Sequence, residues 1–249
     1  MTRAESALDG LDMVSWVRER EPDVIVHLAT HFLATHVPAD IPTLVRTNIE
    51  LGTLVAEAAS ECGAALVNTG TAWQHYEGRP YDPVSLYAAT KQALSDVLEY
   101  YVRVRGLCVR EVTLFDSYGP GDTRPKLIPA LMAAVRFGTV LPMSDGEQLI
   151  DLTYVDDIGS GVADVALAES ASGSWVLRSR QAVSIRELVA TLGDVVGKDV
   201  PVAWDARPVR DREMRSDWEF GQPPPGWAPR VSLAEGLRRV WDDYAAGHA

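Results

Sequence analysis

The chain has 249 residues, 47% hydrophobic and 23% charged, with 23 basic and 35 acidic side chains and a net charge of -12. That length can bury a sizeable core in one or two domains, and the acidic balance repels a phosphate backbone, which excludes non-specific nucleic-acid binding. No apolar run approaches the roughly 20 residues that span a bilayer, and the opening Met1-Thr-Arg-Ala-Glu-Ser6 has no signal-peptide core, so no membrane contact and a cytoplasmic location are expected. Cys62 and Cys108 match no metal spacing and read as two buried thiols of a reducing compartment.

In chain order, Met13, Val14 and Val17 among charges give helical spacing from Asp12 to Arg20, and Pro22-Asp23 ends it. Val24-Ile-Val-His-Leu-Ala29 is the short apolar run of a strand covered on both faces. A long helix fills Ile41 to Glu61, and Ala64 to Val67 is the next strand, ending at Asn68-Thr-Gly-Thr71. Asp82-Pro83 predicts a helix start, an N-cap carboxylate followed by Pro in the first turn. That helix runs to about Val104, and Gly106 ends it. Cys108 to Leu114 is a third strand. Strands alternating with helices predict an α/β fold with a parallel sheet.

The pattern then shortens: Leu127–Phe137, Leu149–Thr153, Asp156–Ala168, Trp175–Leu177 and Ser184–Val196. Ser184 and Glu187 have capping-box spacing, and Ser232 caps a final helix. The expected division is a sheet-building domain over residues 1–125, with 151–170 packing back on it, and a smaller mixed lobe over 126–249.

Tyr87 and Lys91 lie four residues apart on one helix face. An ammonium beside a phenol favours the phenolate, so the tyrosine can act as an acid or base near neutral pH. Thr71 stands at the carboxyl end of the preceding strand, where open α/β sheets place ligands, and its hydroxyl suits a substrate oxygen. His27, His31, His36 and His75 bring no carboxylate with them, so no metal site is expected. Trp204, Trp218 and Trp227 read as packing.

Val24-Ile-Val-His-Leu-Ala29, Thr47-Asn-Ile-Glu-Leu-Gly-Thr53, Tyr87 with Lys91, Tyr118-Gly-Pro120 and Tyr154-Val-Asp-Asp157 occur in order. Together they resemble the extended short-chain dehydrogenase/reductases, the NAD-dependent epimerase/dehydratase family of nucleotide-sugar enzymes. Asn68 to Tyr76, Phe115 to Asp122 and Gly146 to Asp151 resemble, more narrowly, the CDP-abequose synthase group. The resemblance implies reduction of the 4-keto group of a CDP-4-keto-6-deoxyhexose with NAD or NADP, in a Rossmann-type fold with a substrate lobe. A nucleotide-sugar 4-epimerase is the alternative within the family. Dehydratases usually carry acidic residues beside the Ser/Thr position, and here Gly70, Ala72 and Trp73 stand there.

By the same resemblance, Tyr87 gives the proton, Lys91 holds the nicotinamide ribose and Thr71 binds the reacting oxygen. Leu28, Ala29 and Tyr118 line the nicotinamide side. Gln74, His75 and Asp116 meet the substrate, and Arg207, in Arg207-Pro-Val-Arg-Asp211, grips its diphosphate. Relatives commonly dimerise through the tyrosine helix, where Leu98, Tyr100 and Tyr101 lie.

The sequence departs from that pattern in several places. It carries no G-x-x-G-x-x-G turn, whose bare backbone approaches a cofactor pyrophosphate, and only Gly10 precedes the first strand. Asp116 stands where many relatives have Asn, Ile150 where many have Arg, and Arg178 and Arg180 where relatives have glycine. The expectation is an N-terminally truncated Rossmann-type sheet, part of a longer chain. Its Val24–Ala29 strand becomes an edge for a second copy or another partner to cover. A protein that keeps the sugar-nucleotide pocket without redox chemistry is the reading from outside the family's activities.

Overall fold

The computed structural model describes residues 10–169 and 172–247. The segment Met1–Ser6, read above for a signal sequence, lies outside them. Among the described residues no helix is long and apolar enough to cross a membrane. The chain folds into two compact units. The first runs to Leu114 and takes in Val162–Val176; the second is Phe115–Gly161 with the chain from Leu177 onward.

The first unit opens with helix α1 (Gly10–Arg18) and strand β1 (Val24–His27). Helix α2 (Ile41–Val45), a π-helical turn (Arg46–Glu50) and helix α3 (Leu51–Cys62) follow without a break, where the sequence predicts one long helix. Strand β2 (Ala65–Thr71) is longer than its four-residue apolar run, because Asn68 and Thr69 are also buried in the sheet. Helix α4 (Leu86–Arg105) and strand β3 (Val109–Leu114) complete the alternation.

Helix α4 does not begin at Asp82-Pro83. Asp82 is consumed in closing the preceding turn: its N–H donates to the Gln74 carbonyl at 2.8 Å, and its carboxylate accepts from Arg79 at 2.6 Å. Ser85 takes the cap instead, its hydroxyl accepting the Ala88 N–H at 3.3 Å. At the other end Gly106 sits at φ 69°, the left-handed turn that a glycine adopts without a Cβ penalty.

In the second unit strand β4 (Asp116–Tyr118) is followed by helix α5 (Leu127–Phe137) and strands β5 (Leu141–Pro142), β6 (Leu149–Ile150) and β7 (Leu152–Tyr154); helix α6 (Val155–Leu167) begins in the second unit and ends in the first. Strand β8 (Gly173–Leu177) returns the chain to the first unit's sheet. Strand β9 (Val183–Ser184), helix α7 (Ile185–Val196), strand β10 (Val202–Ala203) and helix α8 (Leu233–Gly247) end the fold. Both caps expected here form: Ser184 and Glu187 make the capping box, and Ser232 accepts the Glu235 N–H.

The main sheet has the order β1-β2-β3-β8, with β1/β2 and β2/β3 parallel. Its register aligns His27, Asn68 and Glu111 in one row. The unit boundary falls at Leu114, before the expected residue 125, because Asp116–Tyr118 pairs with Leu152–Tyr154 and not with the main sheet.

The first unit's core gathers Val55, Ala59, Leu66, Leu94, Leu98 and Tyr101 from α3, β2 and α4. Leu98 and Tyr101, considered above for a dimer surface, are core residues; the Tyr101 hydroxyl donates to Glu57 at 2.8 Å, and only Tyr100 is exposed. The second unit's core is built on Leu131, Met132, Leu188, Leu192 and Leu237.

Gly52 is what lets α3 approach α4: a Cβ there would stand 2.4 Å from Leu94 Cδ2, and Leu94 is itself enclosed. Gly52→Ala is therefore expected to destabilise the protein by about 1–3 kcal/mol by overpacking, read as a lowered urea midpoint with an unchanged slope.

Candidate active site

The first unit carries Thr71, Tyr87 and Lys91, together with Leu28, Ala29, Gln74 and His75. The second carries Asp116, Tyr118 and Arg207.

Lys91 is only 2% exposed, among the most enclosed side chains of the protein. Burial pushes its ammonium down to about 8, and the Glu111 carboxylate opposes that shift. His27, beneath it in the sheet, is pushed down to about 4, first by burial and then by the Lys91 charge, so it is neutral at pH 7. Tyr87, one turn before Lys91, is buried, and the ring of Phe32 meets it edge-on at 5.1 Å between centroids. Phe32 also meets Trp73 edge-on at 5.4 Å.

Thr71 ends β2 and starts a tight helical turn. Its hydroxyl accepts the Trp73 N–H at 3.3 Å, which leaves the hydroxyl proton to donate to a ligand oxygen. Gln74, expected at the substrate, is buried and holds this turn: its carbonyl accepts the Thr71 N–H at 2.8 Å and its amide donates to Gln92 on α4 at 2.9 Å. One side chain thus ties the threonine turn to the tyrosine helix. His75 contacts the Arg79 carbonyl through Nδ1 at 3.1 Å. Leu28, 55% exposed, and Ala29, also exposed, lie just beyond the carboxyl end of β1.

Sequence reasoning assigned Asn48 no role. The π-turn brings this residue inward to 1% exposure. Its Oδ1 accepts from Thr30 Oγ1 at 3.0 Å and the His31 N–H at 2.7 Å. Its Nδ2 donates to the His31 carbonyl and Thr90 Oγ1, both at 3.0 Å. Thr90 Oγ1 in turn donates to the Tyr87 carbonyl at 2.7 Å. Asn48 clamps the segment after β1 to the helix that carries Tyr87. The signal was the Thr47-Asn-Ile-Glu-Leu-Gly-Thr53 motif, but a π-turn leaves no mark in apolar periodicity.

In the second unit a cavity of about 500 Å³ is lined by Asp116, Lys126, Ile150, Val240 and Tyr244, among others. Burial raises the Asp116 carboxyl, with Lys126 and Arg210 pulling the other way. Burial lowers the Lys126 ammonium. Tyr118, expected on the cofactor's side, is 3% exposed and its ring packs edge-on against Tyr154 at 5.6 Å, with its edge at the same cavity. Arg207 is exposed and does not line the cavity. Arg210, three residues on, is the arginine of that stretch whose charge reaches Asp116.

Two departures noted in the sequence find a physical account here. Arg178 is buried and its Nε donates to Asp151, 0% exposed, at 2.8 Å. It also donates to Asp217 and to the Trp218 carbonyl, and its guanidinium lies 4.5 Å from the centre of the Phe115 ring. Asp151 accepts the N–H groups of Ser179 and Arg180 as well. Arg180 itself sits at φ 59°, where glycine is the unstrained residue.

A parallel sheet with a threonine turn at a strand's carboxyl end, and a Tyr–Lys pair on the next helix, defines a Rossmann-type α/β protein. The model of the NAD dependent epimerase/dehydratase family matches residues 6–175, and the chain belongs to that family. It is 31% identical to dTDP-glucose 4,6-dehydratase of Streptomyces antibioticus, over 92% of this chain and 72% of the relative. It is 22% identical to CDP-abequose synthase of Yersinia pseudotuberculosis, over 81% of this chain and 72% of the relative. The solved structure of UDP-glucuronic acid 4-epimerase from Bacillus cereus, with UDP-glucuronic acid and NAD, superposes with a TM-score of 0.85 at 20% identity, covering 96% of this chain and 80% of that one. The chain is thus a member of a family of nucleotide-sugar epimerases, dehydratases and reductases, and NAD(P) is the cofactor the family implies.

The residues present suit the nicotinamide end of such a cofactor: a buried ammonium, and the exposed Leu28–Ala29 segment at a strand's carboxyl end. Among the described residues no glycine-rich turn joins a strand to a helix, and β1 is the outer strand of the main sheet.

Two outcomes follow from these buried charges. An unfolded lysine titrates near 10.5 and Lys91 near 8, so between those values the unfolded chain holds more protons and stability rises with pH. Wild type should therefore gain stability relative to Lys91→Met from about pH 8 to 10.5, with a flat difference below pH 8. Urea titrations at a series of pH values test this, and parallel curves would refute it. Separately, Asp151→Ala should cost about 3–5 kcal/mol by stranding the Arg178 guanidinium. Adding Arg178→Met should restore much of the loss in the same measurement.

Proposed function

We propose that the chain acts as a nucleotide-sugar oxidoreductase that reduces the 4-keto group of a CDP-4-keto-6-deoxyhexose. The observation that carries this reading is the set Thr71, Tyr87 and Lys91, held together by Gln74 and Asn48, with no acid beside Thr71. Elimination of water from a sugar needs acid and base groups of its own, and Gly70, Ala72 and Trp73 supply none. The similarity to CDP-abequose synthase supports the choice of base and sugar.

When bound, a nicotinamide cofactor supplies the hydride for the carbonyl carbon. The chain's own residues manage the oxygen and the proton. Thr71 donates a hydrogen bond to the carbonyl oxygen and fixes its position. Tyr87 delivers its phenolic proton to that oxygen as negative charge develops there. The Lys91 ammonium stabilises the phenolate left behind, without water to screen it. Lys91 and the Leu28–Ala29 segment would hold the nicotinamide end. In the second unit the cavity lined by Asp116 and Lys126 carries an ammonium of the kind that suits a phosphoryl oxygen, beside a carboxyl that burial raises. Arg210 adds its charge at Asp116, and Arg207, exposed and outside the cavity lining, is the proposed grip on a diphosphate.

Tyr87→Phe is expected to lower turnover of CDP-4-keto-6-deoxyglucose by about 10²–10⁴-fold while leaving sugar-nucleotide affinity nearly unchanged. Loss of NAD(P)H absorbance gives the rate and calorimetry gives the affinity. Normal turnover in that variant would sink the proposal. Calorimetric titration of the wild-type chain with the reduced and oxidised cofactors decides between readings. Stoichiometric binding supports the reductase, whereas sugar-nucleotide binding without cofactor binding favours the non-redox alternative.

A further inference from the structure

The face of the main sheet beneath α4 carries a polar row that the proposed chemistry does not use. The register of β1, β2 and β3 places His27, Asn68 and Glu111 side by side. Asn68 Nδ2 donates to Glu111 Oε1 at 3.3 Å, and Ser95 Oγ donates to the same oxygen at 2.7 Å. Ser95 lies one turn beyond Lys91 on α4, so the row faces the lysine's side of the helix. Two further groups in the row, His27 Nε2 and Asn68 Oδ1, are buried without a hydrogen-bond partner among the described residues.

Buried polar atoms without partners are costly, and so is a buried ammonium without a countercharge. Here they occur together. The Lys91 charge acts on His27 of β1, the Glu111 carboxylate of β3 acts on Lys91, and Tyr87 shares the lysine's helix; Asn68, paired in register between His27 and Glu111, is uncharged. Among these groups only Glu111 is a carboxylate. Both donors to Glu111 converge on Oε1. The residues that fix Glu111 are thus distinct from the lysine it serves.

We propose that Glu111 is a positioning residue for Lys91: tethered by Ser95 and Asn68, it supplies the countercharge that keeps the buried Lys91 ammonium charged beside Tyr87. Its value to the reaction rests on the reductase reading, in which a charged Lys91 stabilises the Tyr87 phenolate. Without Glu111, desolvation acts on Lys91 unopposed and its ammonium titrates lower still. His27, kept neutral by burial and the Lys91 charge, carries no negative charge to take over that role.

The chain has three lysines, Lys91, Lys126 and Lys198. Protein labelled with ¹³Cε-lysine therefore gives three resonances, and Lys91→Met assigns one of them. Following that resonance against pH, Glu111→Gln is expected to lower the Lys91 midpoint by about one pH unit or more. Ser95→Ala, which removes one tether but leaves the charge, should lower it by less, and it serves as the test if Glu111→Gln does not fold. An unchanged Lys91 midpoint in these variants overturns the proposal. The readout needs neither cofactor nor substrate. A shifted midpoint in a chain without reductase activity would refute the proposed function and keep this inference; an unshifted midpoint in an active reductase would do the reverse.

Discussion

A lysine ammonium closed between helix α4 and a parallel sheet is the constraint around which the first unit is arranged. An isolated charge in such a place costs several kcal/mol, and proteins tolerate it when acceptors and countercharge are supplied at fixed positions. The three strands provide a floor of polar side chains in register. Gly52 allows α3 to approach α4 closely, so the helix carrying the ammonium cannot lift away from that floor. The same helix presents Tyr87 one turn earlier, and its backbone is tied through Thr90 and Asn48 to the segment leaving β1.

The second unit solves a related problem in a different way. Asp151 is fully enclosed, and a guanidinium and two backbone N–H groups converge on it. Arg178 supplies that guanidinium from the end of β8, and Asp217, Trp218 and Phe115 occupy its remaining surface. Such a site adds little net stability compared with an apolar one, but it locks the segment after β8 against β7 in a single arrangement. Arg180, two residues on, keeps the left-handed backbone of the position although it is not glycine. These charges are used up within the fold, whereas Lys126 and Asp116 line the second unit's cavity.

Most elements were legible from apolar periodicity, since burial on one or both faces imposes the period directly. Helix α5 runs over Leu127–Phe137 as its pattern implies, and the Ser184/Glu187 box forms. The start of α4 was misjudged for a local reason. Asp82-Pro83 has good capping chemistry, but Asp82 had a competing partner in Arg79 and a backbone pairing across the 75–82 turn. The unit boundary was misplaced for a non-local one: Asp116–Tyr118 is too short to show a strand period, and its partner β7 lies more than thirty residues further along.

By itself the sequence determined the α/β alternation and the family, and it supplied the proposed Thr71, Tyr87 and Lys91 set, because each rests on short-range spacing and residue chemistry. Only the tertiary structure decided which side chains surround that set. Asn48 turned inward through a π-turn, Gln74 became a clamp on Thr71, and Glu111 came beneath Lys91 through strand register. The same holds for Arg178, whose partners Asp151 and Asp217 stand far from it in the chain. Burial and register are properties of elements brought together across long separations, and no local pattern of residues encodes which neighbour a buried polar group will find.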